Sequence, residues 1–171
     1  MGDMELMKKF VLIMLVISLL STMLTGCGDS DYQIPDVVIS ELGKKIYTAY
    51  VDKDAEAIKE MLSPKIQNRK KTDKEIEAFL NIIDGNIEGY KELRGSAGGG
   101  KIRDGEYVER TGSGSVHEIT TDTGKTYMIG FVVCLKNVEN PDEEGISLIN
   151  IQQEEEDSDR MQLLGRIGKI E

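Results

Sequence analysis

Apolar residues in this chain recur at helical intervals as far as Ile83, and beyond Gly85 they stop doing so. Val38, Leu42, Ile46 and Ala49 or Tyr50 make one stripe behind Asp36, which is placed to cap the helix that carries them. Asp54 is placed to cap a second, shorter helix with Ile58, Met61 and Leu62 inward, stopped by Ser63-Pro64. Thr72-Asp73-Lys74-Glu75 has the spacing of a capping box ahead of Ile76, Phe79, Leu80 and Ile83, with Gly85 suited to a left-handed C-cap. From there on the pattern is one of strands and glycine turns. Residues 87–95 and 106–111 are weak, glycine-punctuated strands, and a firmer hairpin joins 116–121 to 126–136 through Asp122-Thr123-Gly124. The second arm, apolar on both faces, belongs in the middle of a sheet. Odd positions from Tyr127 and even positions from Met128 should then pack on opposite sides. Residues 145–153 and 161–170 complete a meander. Early helices followed by an antiparallel sheet predict an α+β domain over 35–171.

A different kind of segment precedes that domain. Lys8 and Lys9 lead into an unbroken apolar run from Phe10 to Ile17, then a serine-broken stretch ending in Leu24-Thr25-Gly26-Cys27. A basic start and a short apolar core describe an export signal better than a membrane span, which takes about 20 apolar residues. The last four residues resemble a bacterial lipobox. Small residues at 25 and 26 suit a peptidase cleft, and the Cys27 thiol can accept a diacylglyceryl group. The expected organisation is a signal peptide over 1–26, a lipidated Cys27 with a polar spacer to residue 34, and the domain from 35 onward. Two acyl chains hold a protein stably to a bilayer, because each buried methylene contributes about 0.8 kcal/mol. The expected location is the extracytoplasmic face of the cell membrane, with the membrane itself the first partner, whichever of Met1, Met4 or Met7 starts translation.

Composition narrows the function. Acidic residues number 31 against 21 basic ones, a net charge of −10, which argues against nucleic acid as a partner. One histidine and two cysteines supply neither a typical catalytic zinc site nor a disulfide framework. No cofactor and no metal are expected. With Cys27 committed to lipid, Cys134 has no disulfide partner in the chain and is expected in the core.

Several strings suggest chemistry and also have a plainer reading. Gly95-Ser96-Ala97-Gly98-Gly99-Gly100-Lys101 has phosphate-loop spacing, but Ile102 stands where a magnesium-binding hydroxyl belongs and no helix follows; a turn between strands is expected. Asp142-Glu143-Glu144 and the acidic run from Glu154 to Asp159 flank one strand at opposite ends, too far apart to share a cation. His117 is the weak catalytic candidate. It stands on a strand with Ser115 and Ile119 on its own face and Glu118 on the other. In a curled sheet it could join Tyr90, Tyr107 or Tyr127, which are the candidate ligand-binding residues.

The order of helices, the Asp-led helix Asp54-Ala55-Glu56-Ala57-Ile58 and the long sheet resemble the nuclear-transport-factor-like, or cystatin-like, cone. Cys27 with its leader, Asp122-Thr123-Gly124-Lys125-Thr126-Tyr127 and Gly145-Ile146-Ser147 resemble a family of uncharacterised lipoproteins from Gram-positive bacteria. The resemblance implies a fold and an address, and no activity. The expected role is binding of a small ligand or an envelope partner. A small hydrolase or isomerase using His117, or a structural homodimer, are the alternatives.

Overall fold

The computed structural model describes residues 35–154 and 160–168, which lie in one compact unit, Ile34–Glu171. The leader, Cys27 and most of the acidic run at 154–159 lie outside the described residues. Among the described residues four helical segments come first: α1 (Pro35–Val51), α2 (Ala55–Met61), α3 (Pro64–Gln67) and α4 (Thr72–Leu80). Six strands follow, β1 (Ile87–Gly89), β2 (Glu92–Arg103), β3 (Glu106–Thr121), β4 (Thr126–Asn137), β5 (Gly145–Glu154) and β6 (Met161–Gly168), with a 3₁₀ turn at Pro141–Glu143. The result is α+β. From β2 to β6 each strand pairs antiparallel with the next, and β1 pairs with the end of β3 beyond β2. β4 is central, as its two-sided apolar pattern predicts.

Four local expectations are corrected. Asp36 sits in the first turn of α1 and its Oδ1 accepts from the Ala97 amide at 2.8 Å, so it ties the helix to β2 rather than capping it. The buried stripe of α1 runs through Ile39, Ile46, Ala49 and Tyr50, while Val38 is only half-buried. Thr72 and Glu75 form no capping box: the buried Thr72 hydroxyl donates to the Ile66 carbonyl, and Glu75 accepts from Arg69 at 2.7 Å. Burying the threonine tethers α4 to α3 at the cost of a local cap. Gly85, at φ 87°, lies past the end of α4 in the turn toward β1. Asp54 does cap α2, accepting from the Ala57 amide at 2.9 Å.

Residues 95–101 are strand, not turn. A chain reversal at Asp104-Gly105 comes only after β2, and β3 continues without a break through both segments expected as separate strands. The glycines serve packing. A Cβ on Gly95 would stand 2.9 Å from the Asp36 carbonyl oxygen, and one on Gly114 would stand 2.4 Å from Phe131 Cζ and 2.8 Å from Ile39 Cγ2. Without side chains at these positions, α1 lies directly on the β2–β3 backbone. Between helices and sheet, Ile39, Tyr50, Ile58, Phe79, Ile129, Phe131, Ile149 and their neighbours fill one apolar layer. Each such side chain contributes about 1.5–3 kcal/mol by leaving water.

Candidate functional site: the uncovered face of the sheet

The pleat of the sheet sends one set of side chains under the helices and the other set away from them. On β4 Tyr127, Ile129, Phe131 and Val133 are buried under the helices, while on the far side Met128, Val132 and Cys134 are half-buried and Gly130 is closed to water. Cys134 is thus outside the core. Its thiol donates to the Lys136 carbonyl at 3.4 Å, and its pKa is raised chiefly by partial burial, which leaves it a poor nucleophile.

The register places Arg94 of β2, Ser115 of β3, Gly130 of β4, Asn150 of β5 and Arg166 of β6 in one row across this face. Beside it lies a second row, Glu92 and His117, with Met128, Gln152 and Leu163 farther along. Between the two β3 positions, Ser115 Oγ and His117 Nε2 share a hydrogen bond of 2.7 Å. Partial burial and then the Arg94 charge lower the His117 pKa, against the pull of Glu92 and Glu118. Either the serine hydroxyl or a ring N–H can supply the hydrogen of this bond. Arg94 is itself engaged by Glu92, Nε to Oε2 at 2.8 Å. Gly130 leaves a dent in the row, beside which the Asn150 carboxamide lies. Gln152 Nε2 donates to Asn150 Oδ1 at 3.0 Å and so fixes which way that amide faces. The arrangement offers a hydroxyl, an imidazole and an oriented carboxamide to whatever lies against the sheet.

A bulge follows His117. Glu118 takes φ 51°, which turns Ile119 into the core and breaks the expected His117–Ile119 pairing on one face. Glu118 meets Lys91 at 2.9 Å and does not orient the imidazole. The three candidate tyrosines are not brought together. Tyr127 is 1 % exposed and its hydroxyl accepts from the Asp84 amide at 3.3 Å. Tyr90 packs edge-on to Tyr47 with centroids 4.6 Å apart. Tyr107 sits near the end of the β2–β3 hairpin under the Arg110 guanidinium, 4.6 Å from its ring. The Asp142–Glu144 carboxylates hold the chain: Glu143 meets Lys65 at 3.1 Å and Glu144 accepts from the Asn137 amide at 2.8 Å.

Hollows elsewhere among the described residues include two. One of about 610 Å³ runs between α1 and α2, lined by charged side chains of both signs such as Glu41, Lys45, Asp52 and Glu60. The other, about 230 Å³, lies by Tyr50, Lys53 and Ile83, where Lys53 Nζ sits 4.7 Å over the Tyr50 ring and donates to the Leu80 carbonyl. That lysine completes the C-terminal end of α4. Sequence reasoning reached His117 and Ser115 but missed Arg94, Asn150 and Gln152. The missing signal is register: they share a face only once β2, β3, β4 and β5 are aligned.

Among the described residues no helix is long and apolar enough to cross a membrane. No curated protein matches the chain. Residues 45–155 match a family model described as a domain of unknown function (DUF5104), which spans all the helices after the first turns of α1 and the sheet through β5. The chain belongs to that DUF5104 family.

Proposed function

We propose that this protein is a lipid-anchored extracytoplasmic domain, fixed to the cell membrane through Cys27, that acts by binding a small ligand or an envelope partner against the uncovered face of its sheet. The observation that carries the reading is the leader ending in Leu24-Thr25-Gly26-Cys27 ahead of a small acidic domain. Helices on one face of a meander are the arrangement a cystatin-like cone requires, and the same proposal takes the domain to be such a cone. An interlayer space occupied by Tyr50, Tyr127, Phe79 and Phe131 favours the outer face over the interior as the place for a partner. The net charge of −10 repels anionic headgroups and holds the domain off the bilayer. Fractionation of cells expressing the parent and the Cys27→Ser variant tests the anchor. The parent should sediment with membranes and carry an acylated N-terminal cysteine by mass spectrometry. Equal membrane recovery of the variant would refute it.

The Ser115–His117 hydrogen bond favours a second reading, a hydrolase in which Ser115 Oγ attacks an acyl carbonyl while His117 Nε2 takes the hydroxyl proton and passes it to the departing alcohol or amine as the scissile bond breaks. Water, deprotonated by the same nitrogen, then releases the acid and restores the serine. A fluorophosphonate probe should then label Ser115 in the parent and leave His117→Ala unlabelled. No labelling of the parent would discard that reading.

A further inference from the structure

The hollow of about 230 Å³ beside the end of α1 is lined by Tyr50, Val51, Lys53, Ile83, Asn86 and Ile87. In a chain of net charge −10, its one charged lining residue is a lysine. The backbone explains how Lys53 comes to be there. The Asp54 amide donates to the Ala49 carbonyl at 2.9 Å and the Lys53 amide to the Tyr50 carbonyl at 3.2 Å, which makes Lys53 the left-handed residue of a Schellman ending to α1. Its φ is 55°, a conformation that glycine adopts at least cost, and the helix ending itself needs no side chain there. The Lys53 ammonium donates to the Leu80 carbonyl, lies 4.7 Å over the Tyr50 ring, and meets no carboxylate among the described residues. An ammonium has three hydrogens to give, and one of them is taken by an oxygen. Partial burial lowers its pKa, the direction expected of a cation short of an anionic partner.

Tyr50 adds a second unspent donor. Its side chain is closed to water, and its hydroxyl oxygen accepts from the amide of Ile83, another lining residue, at 2.9 Å. The hydroxyl hydrogen has no acceptor among the described residues. The loop that forms the other wall is held in place. Asn86 donates its backbone amide and its carboxamide to the Asp122 carboxylate at 2.8 and 2.7 Å, and its carbonyl accepts the Asp122 amide at 3.0 Å. Lys125 meets the neighbouring Asp84 at 2.7 Å. The wall is thus pinned to the turn between β3 and β4, and a ligand would not have to order it.

We infer that this hollow binds a small carboxylic acid as its anion, the carboxylate taking the remaining hydrogens of Lys53 and Tyr50 and a short hydrocarbon tail lying against Val51, Ile83 and Ile87. Charge-assisted hydrogen bonds supply the strength, and the tail replaces water on the apolar wall. A volume below the roughly 300–1,000 Å³ that drug-sized ligands occupy limits the acid to a few carbons. The inference goes beyond the outer-face reading and does not rest on it.

The test titrates the full-length chain in nonionic detergent micelles with sodium valerate, valeramide and sodium phosphate, followed by amide resonances. Valerate should shift those of Val51, Lys53, Ile83 and Asn86 and leave those of Ser115 and His117 unmoved. Valeramide keeps the tail without the charge and phosphate keeps charge without the tail, so each should bind at least tenfold more weakly. Lys53→Gly suits the left-handed backbone, and circular dichroism checks its folding; it should weaken valerate at least tenfold, as should Lys53→Gln. No binding of valerate, equal binding of valeramide or of phosphate, or indifference to both variants would overturn the inference. So would shifts centred on Ser115 and His117, since the acid would then belong to the outer face. Micelle titration does not depend on acylation, so failure of the Cys27 experiment leaves this result standing, and the reverse.

Discussion

The two faces of this sheet are made from alternate residues of the same strands and have opposite constitutions. Under the helices, β3 presents Gly112, Gly114, Val116 and Ile119, and β4 presents Tyr127, Ile129, Phe131 and Val133, nearly all closed to water. One residue along in each case lie Ser113, Ser115, His117, Met128, Val132 and Cys134, which are half-buried or exposed. The first set is selected for volume and for the absence of volume where α1 descends. The second mixes the hydroxyls of Ser113 and Ser115 and the His117 imidazole with the apolar side chains of Met128 and Val132, a surface that tolerates water. The packed face and the open face are thus separated by a step of one residue, and substitutions at neighbouring positions can measure the separation.

The largest contrast is expected on β4. Phe131→Ala should cost about 3–5 kcal/mol, because the ring fills the layer between α1 and the sheet and the site has little freedom to collapse. Val132→Ala, one step away, should cost about 1 kcal/mol or less, since its two methyl groups are only half removed from water. Urea denaturation of both variants reads the difference directly. Equal losses would mean that something covers the outer face as thoroughly as the helices cover the inner one.

On β3 the same contrast takes the opposite sign of volume. Gly114→Val should cost about 1–3 kcal/mol, because even its first carbon would stand 2.4 Å from the Phe131 ring and force α1 off the strand. Ser115→Val should stay within about 0.5 kcal/mol of the parent while abolishing the hydrogen bond to His117. Thermal melts of the pair sharpen the comparison, and a Ser115→Val loss equal to that of Gly114→Val would break it.

A smaller effect tests how the helical layer is joined to the start of the sheet. The Tyr50 hydroxyl accepts from the Ile83 amide at 2.9 Å, and burial raises its pKa despite that bond. Tyr50→Phe removes the acceptor and leaves a buried amide unpaired, a loss of about 1 kcal/mol. Amide exchange at Ile83 should quicken in the variant. An unchanged exchange rate would show that water or another acceptor takes over.

The coarse pattern was legible because periodicity reports burial, and burial here is one-sided. Ile46, Ile58, Ile76 and Phe79 sit where helical spacing puts them, and the hairpin turn follows Thr121 as Asp122-Thr123-Gly124 implies. What escaped was everything that depends on a distant partner. Asp36 looks like a cap until β2 is laid beside it, and Thr72 with Glu75 looks like a capping box until the Ile66 carbonyl and Arg69 compete for the same side chains. Glycines mislead for the same reason. At Gly95 and Gly114 a turn-forming residue is used for close approach, and local sequence does not distinguish the two uses. The candidate site was half visible: Ser115 and His117 are two apart on a strand, but a one-residue bulge at Glu118 decides which face Ile119 joins.

The smallest expected effect is also the most specific to the outer face. His117 has its pKa lowered by partial burial first and by Arg94 second, with Glu92 and Glu118 pulling the other way. A base whose folded pKa lies below its unfolded value of about 6.5 is neutral in both states above that pH and contributes no pH dependence there. As pH falls through the unfolded value, the unfolded chain takes up its proton first, so stability declines until the folded pKa is passed and levels off below it. His117→Gln, which keeps an amide within reach of Ser115, should flatten this segment of the melting-temperature profile without moving the plateau near neutrality. Carboxylates such as Asp122, whose pKa is lowered chiefly by hydrogen bonds from Asn86, lose their contribution only at lower pH, so the histidine step stands clear of them. A step of unchanged size in His117→Gln would mean that the imidazole is as accessible to protons in the folded sheet as in the open chain, and the outer face would then be fully wet.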